Sequence, residues 1–436
     1  MTDDPAAWLA ERARAYRYEV TQVPLGELPR WHLGDDLAHD TRRFFTIEGI
    51  AVETNFGRVP RWTQPIINQP EIGILGFLYK RIAGVPHLLA QAKMEPGNRV
   101  MVQLSPTVQA TPSNYTRVHG GRATPFLERF LGDTRGRVLV DLLQSEQGSR
   151  YLRKRNRNMI VEVKGDEELA LDAEFRWLSL HELRALLASG RKLNMNARTV
   201  LSCLPYDPTS EPPARDAFRE AVVTSHLAAD DDELARTLSW LADRKTELAI
   251  DVRRIKLGEL DQWICDRDSI RHASGNFFRV IGVEVTAAEG REIAAWKQPM
   301  FAPVHPGTIA FVCQRRAGRL EFLVQARAEP GFIDRVELGA TLQVSPANYA
   351  RREDMPPFAE LLACPPEWVR FRAEQSDDGG RFYHDDALHL VIEVPENEPI
   401  VAPPTFRWVT LGILRRLMRC GYLVDIEARS LLTCLS

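Results

Sequence analysis

Apolar and polar positions alternate in short runs along most of this chain, and the runs come in pairs. Gly73 to Tyr79 and His87 to Ala92 read as strands, with Ala83-Gly84 between them as a tight turn, which is a hairpin signature. The same arrangement returns at Thr308 to Cys313 and Leu320 to Ala326, around Ala317-Gly318. Further strands are predicted near Met159 to Val163 and Leu388 to Val394. A Phe-Arg-Trp triplet twice precedes a helical stretch, at Leu180 to Ala188 and at Leu411 to Arg419. Each half also opens with a helical pattern, and Asp230-Asp231-Asp232 ahead of Glu233 offers capping carboxylates to the second. Strands mixed with a few flanking helices predict an α+β fold.

The recurrence extends to individual residues. Trp8-Leu9-Ala10 returns as Trp240-Leu241-Ala242, and Leu25-Gly26-Glu27-Leu28 as Leu257-Gly258-Glu259-Leu260. His39 matches His272, Trp62-Thr63-Gln64-Pro65 matches Trp296-Lys297-Gln298-Pro299, and Glu95-Pro96-Gly97 matches Glu329-Pro330-Gly331. Thr107 to Tyr115 corresponds to Thr341 to Tyr349, Gln144 to Gly148 to Gln375 to Gly379, and Phe175-Arg176-Trp177 to Phe406-Arg407-Trp408. Collinear matches of this extent indicate a duplicated unit. The expected division is a first repeat over 1–205, a linker over 206–232 with one helix near 214–226, and a second repeat over 233–436.

Composition narrows the function classes. The 436 residues carry a net charge of −3, which argues against a general nucleic-acid or membrane-surface binder. Only eight lysines occur, so a lysine inside a motif stands out. The six cysteines form no CxxC pair; with no leader-like or long apolar run, the expected location is the cytoplasm. There is no GxGxxG after a strand, no P-loop, no HExxH and no G-x-S-x-G elbow. No metal site or cofactor is expected. What remains is proton-transfer chemistry, such as elimination or isomerisation, or binding alone.

Three segments carry a resemblance: Gln91 to Gly97, Leu104 to Thr111, and Ser113 to Gly121. They resemble the NDP-hexose 2,3-dehydratase family, and the likeness runs over essentially the whole chain, duplication included. The resemblance implies a tandem duplication of a Nudix-like α/β/α domain, a homodimer, and action on dTDP-4-dehydro-6-deoxy-D-glucose in deoxysugar biosynthesis. It also implies a downstream NADPH-dependent 3-ketoreductase that takes the product, and a nucleotide-sugar pocket in each repeat, one of them catalytic. The residues fit one part of this directly. Pyrophosphate-cleaving Nudix enzymes place several carboxylates on a helix to hold Mg²⁺, whereas Asn98 to Tyr115 contains no glutamate, and the second repeat has only Asp334 and Glu337 before Tyr349. A non-catalytic tandem nucleotide-sugar binder and a degenerate Nudix hydrolase are the alternatives.

Candidate residues follow from position. Alternation puts Gln91, Lys93 and Glu95 on one face. Lys93 is either a base with a lowered pKa, a cation holding an oxyanion or phosphate, or a solvated strand lysine. Its counterpart Arg327 suits diphosphate binding but not base chemistry, which favours the first repeat as the catalytic one. Glu95 and Glu329 are possible bases or anchors of the Pro-Gly turns. Tyr115, beside Ser113 and Asn114, is a candidate acid for the departing hydroxyl, and its counterpart Tyr349 follows Gln343, Val344, Ser345 and Asn348 in the second pocket. Trp62 and Trp296 are expected over the thymine or sugar. The loop Ser145-Glu146-Gln147-Gly148-Ser149-Arg150, with its counterpart ending at Arg381, offers amides and guanidinium groups for a diphosphate. Trp177 and Trp408 are expected in the core, and His39 and His272 in structural roles.

Overall fold

The computed structural model describes residues 4–16, 18–112, 123–132, 136–164, 167–208, 216–287 and 295–435. The predicted hairpin lies at the middle of the first large sheet. Gly73–Ile82 pairs with Val85–Met94 across Ala83 and Gly84, whose φ values of 49° and 81° give the left-handed pair that such a two-residue turn needs. Arg155–Glu162 runs parallel to Gly73–Ile82 and antiparallel to Arg137–Ser145, and Phe175–Ser179 closes the opposite edge. Val102–Ser105 and Val108–Ala110 bring the sheet to seven strands. The second repeat builds the same sheet around Gly307–Arg316 and Arg319–Ala328, again with a left-handed Ala317-Gly318 turn.

Each large sheet packs helices on one face. In the first repeat Phe77, Leu88, Leu104 and Ile160 meet Leu183, Leu187 and Val200 of helices Leu180–Ala188 and Met195–Ser202. In the second, Phe311, Phe322, Leu338 and Val391 meet Ile413, Leu414 and Leu431 of Leu411–Met418 and Ile426–Thr433. The segment between the repeats carries helix Ala217–Leu227, capped by Asp216 and fixed to the second repeat by Ser225 Oγ, which donates to the Leu320 carbonyl at 2.7 Å. Among the described residues, no helix is long and apolar enough to cross a membrane.

The two smaller sheets are built across the repeats. Tyr18–Val23 of the first repeat pairs antiparallel with Phe278–Ala287 of the second, from Tyr18 opposite Ala287 to Val23 opposite Gly282. Ile250–Ile255 of the second repeat pairs reciprocally with Thr46–Thr54 of the first. The preceding helices stay with their own repeats. Trp8 Nε1 ties Pro5–Ala15 to the Ala173 carbonyl at 3.1 Å, and Trp240 Nε1 ties Asp231–Glu247 to the Pro404 carbonyl at 3.1 Å. A shared core lies between the exchanged sheets, where Leu25, Trp31, Phe45 and Tyr151 pack with Leu257, Phe278, Phe301 and Phe382.

One core expectation needs correction. Trp177 and Trp408 are half-buried, because their strands lie at the sheet edges. A cation covers each ring: Lys80 Nζ lies 4.5 Å from the Trp177 centroid and Arg316 Cζ lies 4.8 Å from that of Trp408. His39 and His272 do have partners, Thr41 Oγ1 at 2.9 Å and Ser274 Oγ at 2.7 Å, and each sets its ring edge against a tryptophan.

Candidate active site

The register of one strand pair sets out the first pocket. Val102–Ser105 runs antiparallel to Val85–Met94, with Gln103 opposite Lys93 and Ser105 opposite Gln91. Directly opposed residues share a face of the sheet, so these four line one surface with half-buried Lys93 among them. Glu95 follows on the same side and is only 2% exposed. Its carboxylate accepts from Asn98 Nδ2 at 3.2 Å and from Gln109 Nε2 at 2.7 Å. Gln109 is itself fixed, since its Oε1 accepts from Asn194 Nδ2 at 3.0 Å and Ser105 Oγ at 3.2 Å. Two amide donors on one carboxylate fix its direction. Ser113, Asn114 and Tyr115 lie outside the described residues.

The second pocket has the same frame and different charge. Glu337 lies opposite Arg327 in the register, as Gln103 lies opposite Lys93. Asp425 caps helix Ile426–Thr433 where Asn194 caps Met195–Ser202, and Glu427 stands where the first repeat has Asn196. Three carboxylates therefore replace three amides. Arg327 Nη2 donates to Glu329 at 3.0 Å, and its Nε lies 4.0 Å from Asp425, which also takes Gln343 Nε2 at 2.7 Å. Burial works against the charge on Arg327, but Glu329 and Asp425 more than reverse it and hold the guanidinium protonated. Burial pushes Asp425 up to about 6, Glu337 up to about 7, and Glu427 well above the usual carboxylate range. Part-exposed Tyr349 lies near enough to Arg327 to feel its charge. Val344 is buried, Ser345 leads into the short turn Pro346–Asn348, and Asn348 Oδ1 accepts from the Phe277 backbone N–H at 3.0 Å.

Each candidate site abuts the other repeat. The loop expected to cradle a diphosphate is a buried seam, with Ser145, Glu146 and Gln147 at most 5% exposed. Ser145 Oγ donates to Glu337 at 2.5 Å, and its carbonyl accepts from Arg429 Nη2 at 2.7 Å. On the opposite side Gln103 Nε2 donates to Ser376 Oγ at 2.9 Å, and the Ser376 carbonyl accepts from Arg198 Nη2 at 2.6 Å. Gln147 Nε2 donates to Asp377, and Glu146 accepts from Asn156 at 2.6 Å, with burial raising its pKa to about 7. The Pro-Gly turns cross the same seam: Gly97 N donates to the Gly379 carbonyl at 2.8 Å, and Gly331 N to that of Gly148 at 2.7 Å. A Cβ on Gly97 would sit 1.7 Å from the Phe382 carbonyl oxygen, and one on Gly331 1.7 Å from that of Tyr151, so both turns need glycine for the close approach.

The remaining candidates also have partners. Trp62 Nε1 donates to Gln64 at 2.8 Å, and Gln64 Nε2 donates to the Ser149 carbonyl at 2.9 Å. Trp296, Gln298 and the Gly380 carbonyl repeat this at 3.1 and 2.9 Å. The Trp-x-Gln-Pro motif thus orients a glutamine that clamps the seam loop. Arg150 lies 4.3 Å over the Phe278 ring and Arg381 4.2 Å over Phe45, so both guanidinium groups stack on an aromatic of the other repeat.

Glu337 yields a stability prediction. Its folded pKa of about 7 exceeds the ordinary 4.5 because of burial, so the folded state holds the extra proton. Stability from this group is fully present below pH 4.5 and is lost as pH rises towards 7. Glu337→Gln copies the first repeat's residue and removes the titration. Thermal melts should show the wild type losing about 3 kcal/mol more than the variant across that window; parallel pH profiles would contradict this.

Comparison with known proteins falls on this duplicated frame. A family profile described as NDP-hexose 2,3-dehydratase matches residues 2–204 and again 234–435. The chain belongs to the NDP-hexose 2,3-dehydratase family. Proteins named dTDP-4-dehydro-6-deoxy-alpha-D-glucopyranose 2,3-dehydratase are similar along its whole length. The one from Saccharopolyspora spinosa is 44% identical over 439 residues, covering 98% of this chain and 90% of that protein. Those from Streptomyces violaceoruber and Amycolatopsis orientalis are 43% and 42% identical, covering 98% and 100% of this chain and 95% and 90% of the relatives. For a 2,3-dehydratase of this family, Gln103, Gln109, Asn194, Arg198 and Ser376 are the residues that motif reading passed over. Aligning the repeats holds the signal: amide against acid at 103/337 and 194/425, and arginine retained at 198/429.

Proposed function

We propose that the protein is a dTDP-4-dehydro-6-deoxy-D-glucose 2,3-dehydratase whose chemistry takes place in the first repeat's pocket, within a Nudix-like frame that has lost its metal-binding helix. The observation that carries this is the exchange of amides for acids. A dTDP-sugar brings a diphosphate, and its reaction passes through an enolate. Lys93 is set among Gln103, Gln109 and Asn194 with one buried carboxylate, Glu95, held by Gln109, whereas Arg327 pairs with Glu329 and has Asp425, Glu427 and Glu337 in place of the three first-repeat amides. An anionic substrate therefore meets fewer acidic side chains beside Lys93 than beside Arg327.

The reaction asks little of side chains. The C4 ketone acidifies the C3 hydrogen; removal of that proton gives an enolate, which expels the C2 hydroxyl as water. The enol left at C3 takes a proton at C2 and becomes a dTDP-3,4-didehydro-2,6-dideoxy-D-glucose. In this reading Lys93 takes the C3 proton or holds the developing C4 oxyanion, with Glu95, oriented by Asn98 and Gln109, as its proton-transfer partner. Tyr115 is the proposed donor to the departing hydroxyl. The product is a labile diketone, suited to immediate reduction by an NADPH-dependent 3-ketoreductase. A cytoplasmic homodimer is the proposed working form.

The test is incubation of the protein with dTDP-4-dehydro-6-deoxy-D-glucose in D₂O, with such a reductase and NADPH as trap. Loss of water with deuterium at C2 is the expected result. Unchanged sugar under saturating binding would leave a tandem binder, and Mg²⁺-dependent release of dTMP would leave a hydrolase.

A further inference from the structure

Gln103 is one of several buried amides whose oxygen has no hydrogen-bond partner, and it is the one set opposite Lys93. It is 1% exposed and its Nε2 is spent on Ser376 Oγ at 2.9 Å, yet its Oε1 is buried with no hydrogen-bond partner. A buried acceptor left without a donor costs about 1–3 kcal/mol. The side chain projects from the strand position opposite Lys93, on the same face of the sheet. Its direction is set from outside its own repeat. Ser376 ends strand Val369–Ser376 of the second repeat, and the Ser376 carbonyl is gripped by Arg198 Nη2 at 2.6 Å. Arg198 is itself 1% exposed, pushed down to about 10 by burial, and also held by the Leu193 carbonyl at 2.6 Å and by Ser430 Oγ at 2.7 Å.

We infer that Gln103 Oε1 is a substrate-binding acceptor for a hexose hydroxyl in the first pocket, and that Ser376, pinned by Arg198, is the positioning residue that turns the amide towards the sugar. This rests on the placement of the chemistry beside Lys93. A hydroxyl donor satisfies the orphaned oxygen without adding charge, and an acceptor on the hydroxyl next to the reacting carbon orients the ring for proton removal. In the second repeat Glu337 stands in place of Gln103; Ser145 Oγ donates to one of its oxygens and the other is likewise buried without a partner, so an acid takes the place of the neutral amide. The inference also gives the second repeat a function: it supplies the wall that aims a residue of the first, whether or not its own pocket turns over substrate.

The test is a double-mutant cycle on Gln103→Met and Ser376→Ala, with dTDP-4-dehydro-6-deoxy-D-glucose as substrate and reduction of the trapped product as readout. Gln103→Met keeps the volume and loses the acceptor; it should lower kcat/KM by about 100-fold. Ser376→Ala should lower it by about 10-fold. The double variant should match Gln103→Met alone, because the serine acts through the amide. Inhibition by dTDP, which lacks the hexose, should keep its constant in all three. Additive losses, an unchanged kcat/KM in Gln103→Met, or weakened dTDP inhibition with a lowered melting temperature would overturn the inference. Lys93→Met is measured alongside. Its loss of turnover together with a neutral Gln103→Met overturns this inference alone, whereas retained turnover in Lys93→Met overturns the placement of the chemistry itself.

Discussion

Lys93→Met is expected to lose about 10³-fold in turnover or more while keeping the wild-type melting temperature. Two contributions are removed at once: a positioned proton-transfer group, typically 10²–10⁴-fold, and a cation beside the developing oxyanion, of comparable size. Lys93 is half-buried on the sheet face it shares with Gln103. Arg327→Met should behave in the opposite way. Removing that guanidinium leaves Glu329, Glu337 and Asp425 buried together without it, and breaking a buried ion pair from one side costs about 3–5 kcal/mol. A lowered melting temperature with turnover retained per folded molecule is therefore the expected result. Steady-state kinetics beside thermal melts separates the two. Equal loss of turnover from both variants, at equal stability, would remove the assignment of the chemistry to the first repeat.

Much of this was legible in the chain. The hairpins follow from alternation and from Ala-Gly turns that tolerate positive φ, and the duplication follows from collinear motifs. The Lys93/Arg327 difference was visible too, but its meaning was not. Arg327 read as a diphosphate ligand, because sequence does not show that Glu337 from one strand and Asp425 and Glu427 from one helix start are brought to its side. The Ser145 to Arg150 loop likewise read as an open polar cradle. Its composition is that of a surface loop, and only the close approach of the other repeat's Pro-Gly turn makes it a seam. The strand exchange left no mark at all. Tyr18–Val23 and Ile250–Ile255 have the same alternation of half-buried and exposed positions, so either one satisfies either partner strand, and local pattern carries no choice between them.

That exchange leads to the second large effect: neither repeat should fold when produced alone. A first half ending before Asp230 would keep strand Thr46–Thr54 but lose the six register partners that Ile250–Ile255 supplies, leaving a bare sheet edge. It would uncover the side of Leu25, Trp31, Phe45 and Tyr151 that packs against Leu257, Phe278, Phe301 and Phe382. Arg198 would lose the Ser376 carbonyl and Ser430, stranding a buried guanidinium. The second half fails for matching reasons, with Arg429 deprived of Ser145 and Thr199. Since whole domains are stable by only about 5–15 kcal/mol, losses of this kind exceed the margin. Each half made separately should aggregate or lack a cooperative melt, whereas the two made together should assemble into a one-to-one complex with dehydratase activity. A lone half that elutes as a monomer and melts cooperatively would show that the exchanged strands and the seam are dispensable. Gln103 would then need another support for its direction, so the result bears on the pocket as directly as on the fold.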